Sequence, residues 1–126
     1  MKTSPAKIVV DAYSLALAIF KRSSGFPKHY RPTLGRRLED GALNLTLAVR
    51  ISSLTSGKDG LERRKRFLDR SSELLDELRI ALQICHDLSI IPSSGYADLS
   101  ELTSEIGRQI GGLVKFCHAG GQSELA

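Results

Sequence analysis

The stretch FPKHYRPTLGRRLED, Phe26–Asp40, separates two apolar helical patterns and decides how the chain folds. Pro27 and Pro32 disfavour a helix between them, because proline lacks an N–H and restricts the residue before it. The stretch is also basic, since its first acid is Glu39 and four cations precede it: Lys28, Arg31, Arg36 and Arg37. We interpret it as a basic loop that leads into the first turns of a long helix.

Apolar residues recur at helical spacing on both sides of this loop and predict four helices. The predicted helices cover residues 5–22, 33–56, 61–88 and 97–118, and residues 119–126 are expected to fray. No stretch alternates with a period of two, so strands are not expected. The 126 residues are enough for one domain. The sequence therefore predicts a single all-α domain, an up-down-up-down four-helix bundle.

Two of the predicted helices carry wide apolar faces. In the third helix, residues seven apart form a heptad-like stripe typical of antiparallel packing: Phe67, Leu74, Ala81 and Leu88. The second helix has one stripe that includes Leu38 and Leu45, and another formed by Leu43, Leu47 and Leu54. Two stripes on one helix predict that it is covered on more than one side.

Charge is segregated along the chain. Residues 21–70 contain thirteen Lys and Arg against five Asp and Glu, whereas residues 71–107 contain one Arg against seven acids. The folded protein should therefore have a basic and an acidic face. A basic face favours nucleic acid or an acidic partner, and the two faces could also meet across a subunit interface.

A second basic run opens the third helix, at Arg63, Arg64, Lys65 and Arg66. An antiparallel bundle places this run far from the basic loop, so we expect two separate basic zones in one protomer. Phosphate backbones reward such clusters by releasing counterions. The alternative is a solvated helix surface with pairs such as Glu62–Arg66, because four consecutive residues cannot share one helix face.

Three glycines interrupt the fourth helix: Gly107, Gly111 and Gly112. Each costs on the order of 1 kcal/mol relative to alanine in a helix interior, so a close contact should offset the cost. Gly107 and Gly111 are four residues apart and form one flat strip. The strip predicts either a tight contact inside the bundle or, as we expect, a contact between subunits.

Arg79 and His86 form the one pair that resembles an enzyme motif. They are seven residues apart on one helix, and this resembles the active-site motif of HEPN-type ribonucleases, in which such a pair acts as acid or base with a phosphate clamp. The stronger alternative is a histidine near a helix C-terminus, where the dipole favours it. The spacing of His and Cys predicts neither a metal site nor a cofactor, and Cys85 and Cys117 fall on apolar stripes as buried thiols. We expect no enzyme activity.

Three ordered segments carry a family resemblance. They are Phe26-Pro27-Lys28 with Arg31 and Leu34–Asp40, Phe67-Leu68 with Leu74–Arg79, and Leu99–Arg108 continuing through Gly111-Gly112. Together they resemble the accessory variability determinant (Avd) family of diversity-generating retroelements, over about residues 5–118. Leu113 departs from the pattern, because the family often has an aromatic residue, such as Trp, there.

The resemblance implies a four-helix protomer that assembles into a homopentameric barrel. It implies a noncatalytic accessory protein that binds the reverse transcriptase of the element and RNA or DNA, and that supports mutagenic copying of a template repeat RNA. Related four-helix bundle proteins are encoded in intervening sequences of ribosomal RNA genes. An interaction protein of that type, without a polymerase partner, is the alternative.

The expected contacts with nucleic acid or partner are the loop residues Lys28, Arg31, Arg36 and Arg37, the run Arg63, Arg64, Lys65 and Arg66, and Arg79. The expected oligomer contacts are Gly107, Gly111 and Gly112. The apolar start of the chain is interrupted by Asp11 and Tyr13, so neither a signal peptide nor a membrane span is expected. Together with the reduced cysteines, this predicts a cytoplasmic location.

Overall fold

Four long helices make up most of the protein. The computed structural model describes residues 5–55, 57 and 60–119. Within these residues the chain has no strand, and its helices are α1 (Pro5–Ser23), α2 (Arg36–Leu54), α3 (Leu61–Asp87) and α4 (Ser93–His118). This confirms the all-helical prediction of four helices. Residues 120–126, most of the tail expected to fray, lie outside the described part of the chain.

Each helix runs antiparallel to its neighbours. Glu39 near the start of α2 bonds to Ser23 at the end of α1, while Thr46 further along α2 donates to the Ala12 carbonyl, 3.2 Å away. The α3–α4 pair shows the same inversion, because Arg79 reaches the Thr103 carbonyl and the later residue His86 lies beside Ser93. The α1–α2 loop and the α3–α4 turn therefore share one end of the bundle, here called the loop end.

The core is aliphatic, as the scarcity of aromatic residues predicts. Each helix contributes one buried stripe, represented by Leu15, Leu45, Leu78 and Ile106. Cys85 and Cys117 are both buried, and burial raises the pKa of the Cys85 thiol. None of the helices in the described residues is long and apolar enough to cross a membrane.

The second apolar stripe of α2 is not covered by any of the residues that the structure describes. Leu43, Leu47 and Leu54 are 48%, 51% and 68% exposed, although the sequence predicts cover on more than one side of this helix. Leu88, the last member of the α3 heptad stripe, is also exposed, because α3 ends at Asp87. The stripes therefore leave a large apolar surface in contact with solvent.

The basic loop is ordered by short helical turns. A 3-10 turn, Lys28–Tyr30, leads into a π-helical turn, Arg31–Gly35, and regular α-helix begins at Arg36. The start predicted for the second helix, residue 33, thus falls inside the π-helical turn, three residues before α2 begins. Pro32 is tolerated there because it lies in the first turn, where its missing N–H would have no helical partner.

The turn between α3 and α4 is short and closely bonded. Ser89 has a φ of 63°, and the N–H groups of Ser89 and Ile90 donate to the carbonyls of His86 and Cys85. These two bonds form a Schellman motif, which normally has glycine at the left-handed position. α4 begins at Ser93, four residues before the predicted start at residue 97. The sequence pattern was misleading here because Gly95 suggests a helix end, whereas it lies in the first turn.

Candidate nucleic-acid interface

The loop-end cluster is formed by Lys28, Arg31, Arg36 and Arg37, and all four side chains are exposed. Its backbone is anchored by Phe26, whose ring is buried and lies over the buried Gly35. Arg31 Nε donates a 3.0 Å hydrogen bond to the Phe26 carbonyl, which holds the two sides of the loop together. The aromatic anchor thus holds a group of cations at the surface.

One ion pair in this cluster is weak. Arg36 Nε lies 3.7 Å from Asp40 Oδ2, and the side chains are 75% and 64% exposed. Exposed pairs at this spacing contribute little to stability and are screened by salt. A phosphate group can therefore compete with Asp40 for the Arg36 guanidinium at small cost.

The structure adds two cations that the sequence analysis missed at this end. Lys21 and Arg22 lie in the last turn of α1, beside the basic loop. Arg22 is half-buried, and its guanidinium lies where a Cβ on Gly95 would stand. Their position just before Ser23-Ser24-Gly25 could have predicted this placement, because the end of α1 and the start of α2 lie at the same end of an antiparallel bundle.

The opposite end contains the run Arg63, Arg64, Lys65 and Arg66, and its members differ in exposure. Arg64 is only 9% exposed, and its guanidinium packs 5.8 Å from the ring centre of Phe116 in α4. Arg63 is exposed and lies 5.0 Å from the ring centre of Phe67. The structure thus places Arg64 in a contact between helices, which removes it from the surface, and leaves Arg63 and Arg66 exposed.

Arg79 bridges α3 and α4 within the protomer. Its Nη1 pairs with Asp76 Oδ1 at 3.2 Å, and its Nη2 donates to the Thr103 carbonyl at 3.4 Å. Gly107 makes room for this reach, because a Cβ there would stand 2.7 Å from Nη2. Gly107 therefore takes part in a close contact inside the bundle, which was the alternative to its predicted role between subunits.

Gly111 and Gly112 differ from Gly107. Both are exposed, and a Cβ added to either would meet no atom of the described structure within 4 Å. Their contact with another subunit remains a prediction.

His86 has a set of partners separate from those of Arg79. Its ring stacks on Tyr96 with centres 4.6 Å apart, its Nε2 lies 3.1 Å from Ser93 Oγ, and its Nδ1 lies 3.4 Å from Asp87. Seven residues of helix separate His86 from Arg79 by roughly 10 Å along the axis. Each side chain is thus held by a different contact between α3 and α4, and the geometry does not present them as one acid–base pair.

A polar network links α1 to α4 on another side of the bundle. Lys7 Nζ and Gln109 Nε2 both donate to Asp11 Oδ2, at 2.9 and 2.6 Å. Burial by itself raises the pKa of Asp11, but these hydrogen bonds outweigh it and hold the pKa below its ordinary value. A hydrogen bond from Arg108 likewise lowers the pKa of Glu105, against partial desolvation. The network fixes α1 against α4 and is separate from the basic clusters.

The chain matches no protein-family model, and no curated protein matches it. Evidence for function therefore comes from two features of the chain itself: the exposed loop-end cluster and the ordered family resemblance in the sequence.

Proposed function

We propose that this protein is a noncatalytic accessory protein of a diversity-generating retroelement. It binds RNA or DNA through its basic surfaces, binds the reverse transcriptase of the element, and supports mutagenic copying of a template repeat. The observation that carries the proposal is the loop-end cluster, in which four exposed cations stand on an anchored loop next to Lys21. The retroelement assignment comes from the resemblance of residues 5–118 to the Avd family.

Electrostatics favours a phosphate backbone as the ligand of this cluster. Nucleic-acid affinity rises with the number of phosphates that Lys and Arg neutralise, because each contact releases condensed counterions. The cluster lies on short turns and on the first residues of α2, so its side chains extend in several directions from a fixed backbone. Such an arrangement suits a backbone that is bound without reading its sequence.

The first experiment removes charge from the cluster while keeping the loop folded. The triple variant Lys28→Gln, Arg36→Gln, Arg37→Gln leaves Arg31 in place, because Arg31 Nε bonds to the Phe26 carbonyl. We expect weaker binding to RNA and DNA and a log–log salt slope that is shallower by about 2 to 3, since each phosphate contact contributes about 0.7 to 0.9. Filter binding or fluorescence anisotropy over a salt series measures both.

A control of equal charge separates a local contact from a general loss of positive charge. Lys7→Gln, Arg108→Gln, Lys115→Gln removes three exposed cations on α1 and α4, away from the loop end. Because Lys7 and Arg108 take part in the polar network between α1 and α4, circular dichroism verifies that this variant is folded. This control should keep the wild-type salt slope. Equal loss of binding in both triple variants would contradict a specific role for the loop-end cluster.

A second experiment tests the polymerase partner. The protein and the reverse transcriptase of the same element are co-expressed, and we expect them to co-purify. Omission of the protein should reduce cDNA synthesis on template repeat RNA. If the two proteins do not associate and cDNA synthesis is unchanged, the accessory role is wrong even if nucleic-acid binding is observed.

The same proposal includes assembly into a homopentameric barrel. An apolar surface left uncovered within the protomer supports assembly, because monomeric soluble proteins rarely expose large contiguous apolar patches. The number five comes from the family resemblance. The mass in solution, measured by light scattering, tests it.

A further inference from the structure

Ten large hydrophobic side chains of the described structure are strongly exposed, and they fall into two patches. The α1/α2 patch contains Val10, Tyr13, Leu17, Phe20, Leu43, Leu47 and Leu54. The α3 patch contains Ile80, Ile84 and Leu88. Their exposed fractions range from 42% to 68%, so neither patch belongs to the core of the protomer.

The α1/α2 patch is one continuous surface because its two stripes flank the same helix pair. On α2, Leu43 lies four residues after Glu39 and three before Thr46, and both of these side chains bond to α1. On α1, Phe20 lies three residues before Ser23, the partner of Glu39. The other α1 members of the patch precede Phe20 at spacings of three and four residues. Residues at these spacings share one helix face, so both stripes border the α1–α2 seam.

The two patches differ in the charges that border them. Cations outnumber acids beside the α1/α2 patch: Lys7, Lys21 and Arg50 are exposed and lie three or four residues from Val10, Leu17 and Leu47, against exposed Asp40 three residues before Leu43. Acids outnumber cations beside the α3 patch: exposed Glu73, Asp76, Glu77 and Asp87 lie at helical spacing from Ile80 and Ile84, against the exposed cations Arg37 and Arg79. The segregation of charge along the sequence thus gives the two apolar patches borders of opposite net charge.

A groove adjoins the α3 patch and offers space for inserted side chains. It has a volume of about 640 Å³ and lies between the start of α2 and α3. Its lining includes Leu34, Arg37, Ile80 and Ile84, so it joins the α3 patch to the loop-end cluster. A partner seated here would lie next to the loop-end cluster.

We propose that the α1/α2 patch of one copy of this chain docks on the α3 patch of the next copy. Complementary charge favours this pairing, whereas either patch docked on itself would bring like charges together. The contact is heterologous, because it joins two different surfaces, and repetition of such a contact closes a ring when its rotation permits. The inference rests on the assembly included in the proposed function, and it names the two surfaces that meet.

The test uses one variant in each patch. Leu47→Glu places an acid in the patch that faces the acidic border, and Ile84→Lys places a cation in the patch that faces the basic border. Each variant alone should be monomeric by analytical ultracentrifugation, while the wild type has a larger mass. Ala97→Glu adds a charge at an exposed position of α4 outside both patches and should keep the wild-type mass. Circular dichroism verifies that every variant is folded.

Mixing the two variants distinguishes this contact from a symmetric one. Leu47→Glu retains its α3 patch and Ile84→Lys retains its α1/α2 patch, so an equimolar mixture should form a heterodimer of twice the 13.8 kDa chain mass. A mixture that remains monomeric contradicts the proposal. So does an Ile84→Lys variant that keeps the wild-type mass, because the contact would then be the α1/α2 patch on itself.

The outcome is separable from that of the proposed function. A monomeric wild type that binds RNA with the expected salt slope overturns this inference and leaves nucleic-acid binding intact. A wild-type oligomer that behaves as described in the mixing test, but binds neither RNA nor DNA, supports the inference and contradicts the proposed function.

Discussion

At the scale of single residues, Ser89 has the most strained backbone in the α3–α4 turn. Its φ of 63° lies in the left-handed region, which side chains disfavour and glycine adopts freely. We expect Ser89→Gly to raise the free energy of unfolding by about 0.5–1 kcal/mol, because the relief of strain exceeds the added entropy of the unfolded chain. Chemical denaturation monitored by circular dichroism measures the change.

The control for this substitution is a serine in ordinary helical conformation. Ser72 is exposed in the interior of α3, and Ser72→Gly should lower the free energy of unfolding by about 0.5 kcal/mol, because glycine is the poorer helix former. If both variants are destabilised to the same extent, the left-handed conformation of Ser89 does not limit stability.

Substitution of Gly111 and Gly112 tests whether the exposed surface of α4 forms a contact between subunits. A Cβ at either position meets no described atom within 4 Å, so Gly111→Ala and Gly112→Ala should each stabilise the protomer by about 1 kcal/mol through helix propensity. Docking of the α1/α2 patch on the α3 patch does not use these glycines, and we therefore expect an unchanged mass in solution. Thermal melts and light scattering give the two readouts.

A lower mass in the alanine variants would instead locate a subunit contact at these glycines, as the sequence predicts. Gly107→Ala provides the contrast. It should displace the Arg79 guanidinium from the Thr103 carbonyl, so its gain in stability should be smaller than that of the other two.

At the scale of secondary structure, the sequence predicts all four helices, and only the starts of α2 and α4 differ from the prediction by more than two residues. Periodic apolar residues predict all four helices because each must bury one face. The start of α4 was predicted four residues late, because a glycine at position 95 suggests the end of a helix. In the structure Gly95 lies in the first turn of α4, where the absence of a side chain leaves room for the Arg22 guanidinium of α1. The π-helical turn before Arg36 likewise depends on the burial of Phe26 and Gly35, which no local pattern reveals.

The α1–α4 pair depends on the ionisation of Asp11. Its pKa is lowered in the folded state, so the carboxylate contributes stability that is fully present above its ordinary pKa, about 3.9, and is lost as the pH falls through the lowered value. We expect Asp11→Asn to be less stable than the wild type at neutral pH. The difference should shrink as the pH falls from about 5 to 3. Thermal melts across this range measure it.

Asp69→Asn, an exposed carboxylate of α3, controls for the loss of any acid and should keep the acid dependence of the wild type. A stability difference between wild type and Asp11→Asn that is constant with pH would show that Asp11 acts through packing rather than charge.

At the scale of the whole molecule, the sequence predicted where charge concentrates better than which side chains present it. The basic loop between two prolines produced an exposed cluster, since such a loop must lie at the surface. The second run contains Arg64, which is buried against Phe116, and only the packing of α3 on α4 reveals this. In the same way, the leucine stripe of α2 was recognisable, but whether another helix covers it depends on how the four helices pack.

Assembly through the exposed patches should couple folding to protein concentration. If monomers unfold after dissociation, mass action stabilises the oligomer as its concentration rises, so the melting temperature of the wild type should increase by several degrees over about a hundredfold increase in protein concentration. Leu47→Glu should melt at a temperature independent of concentration, because its α1/α2 patch no longer docks. Ala97→Glu, which lies outside both patches, should retain the wild-type dependence. Differential scanning fluorimetry or calorimetry makes the measurement. A wild-type melting temperature that stays constant over the whole series would mean that the apolar patches remain exposed in the folded protein and do not join its copies.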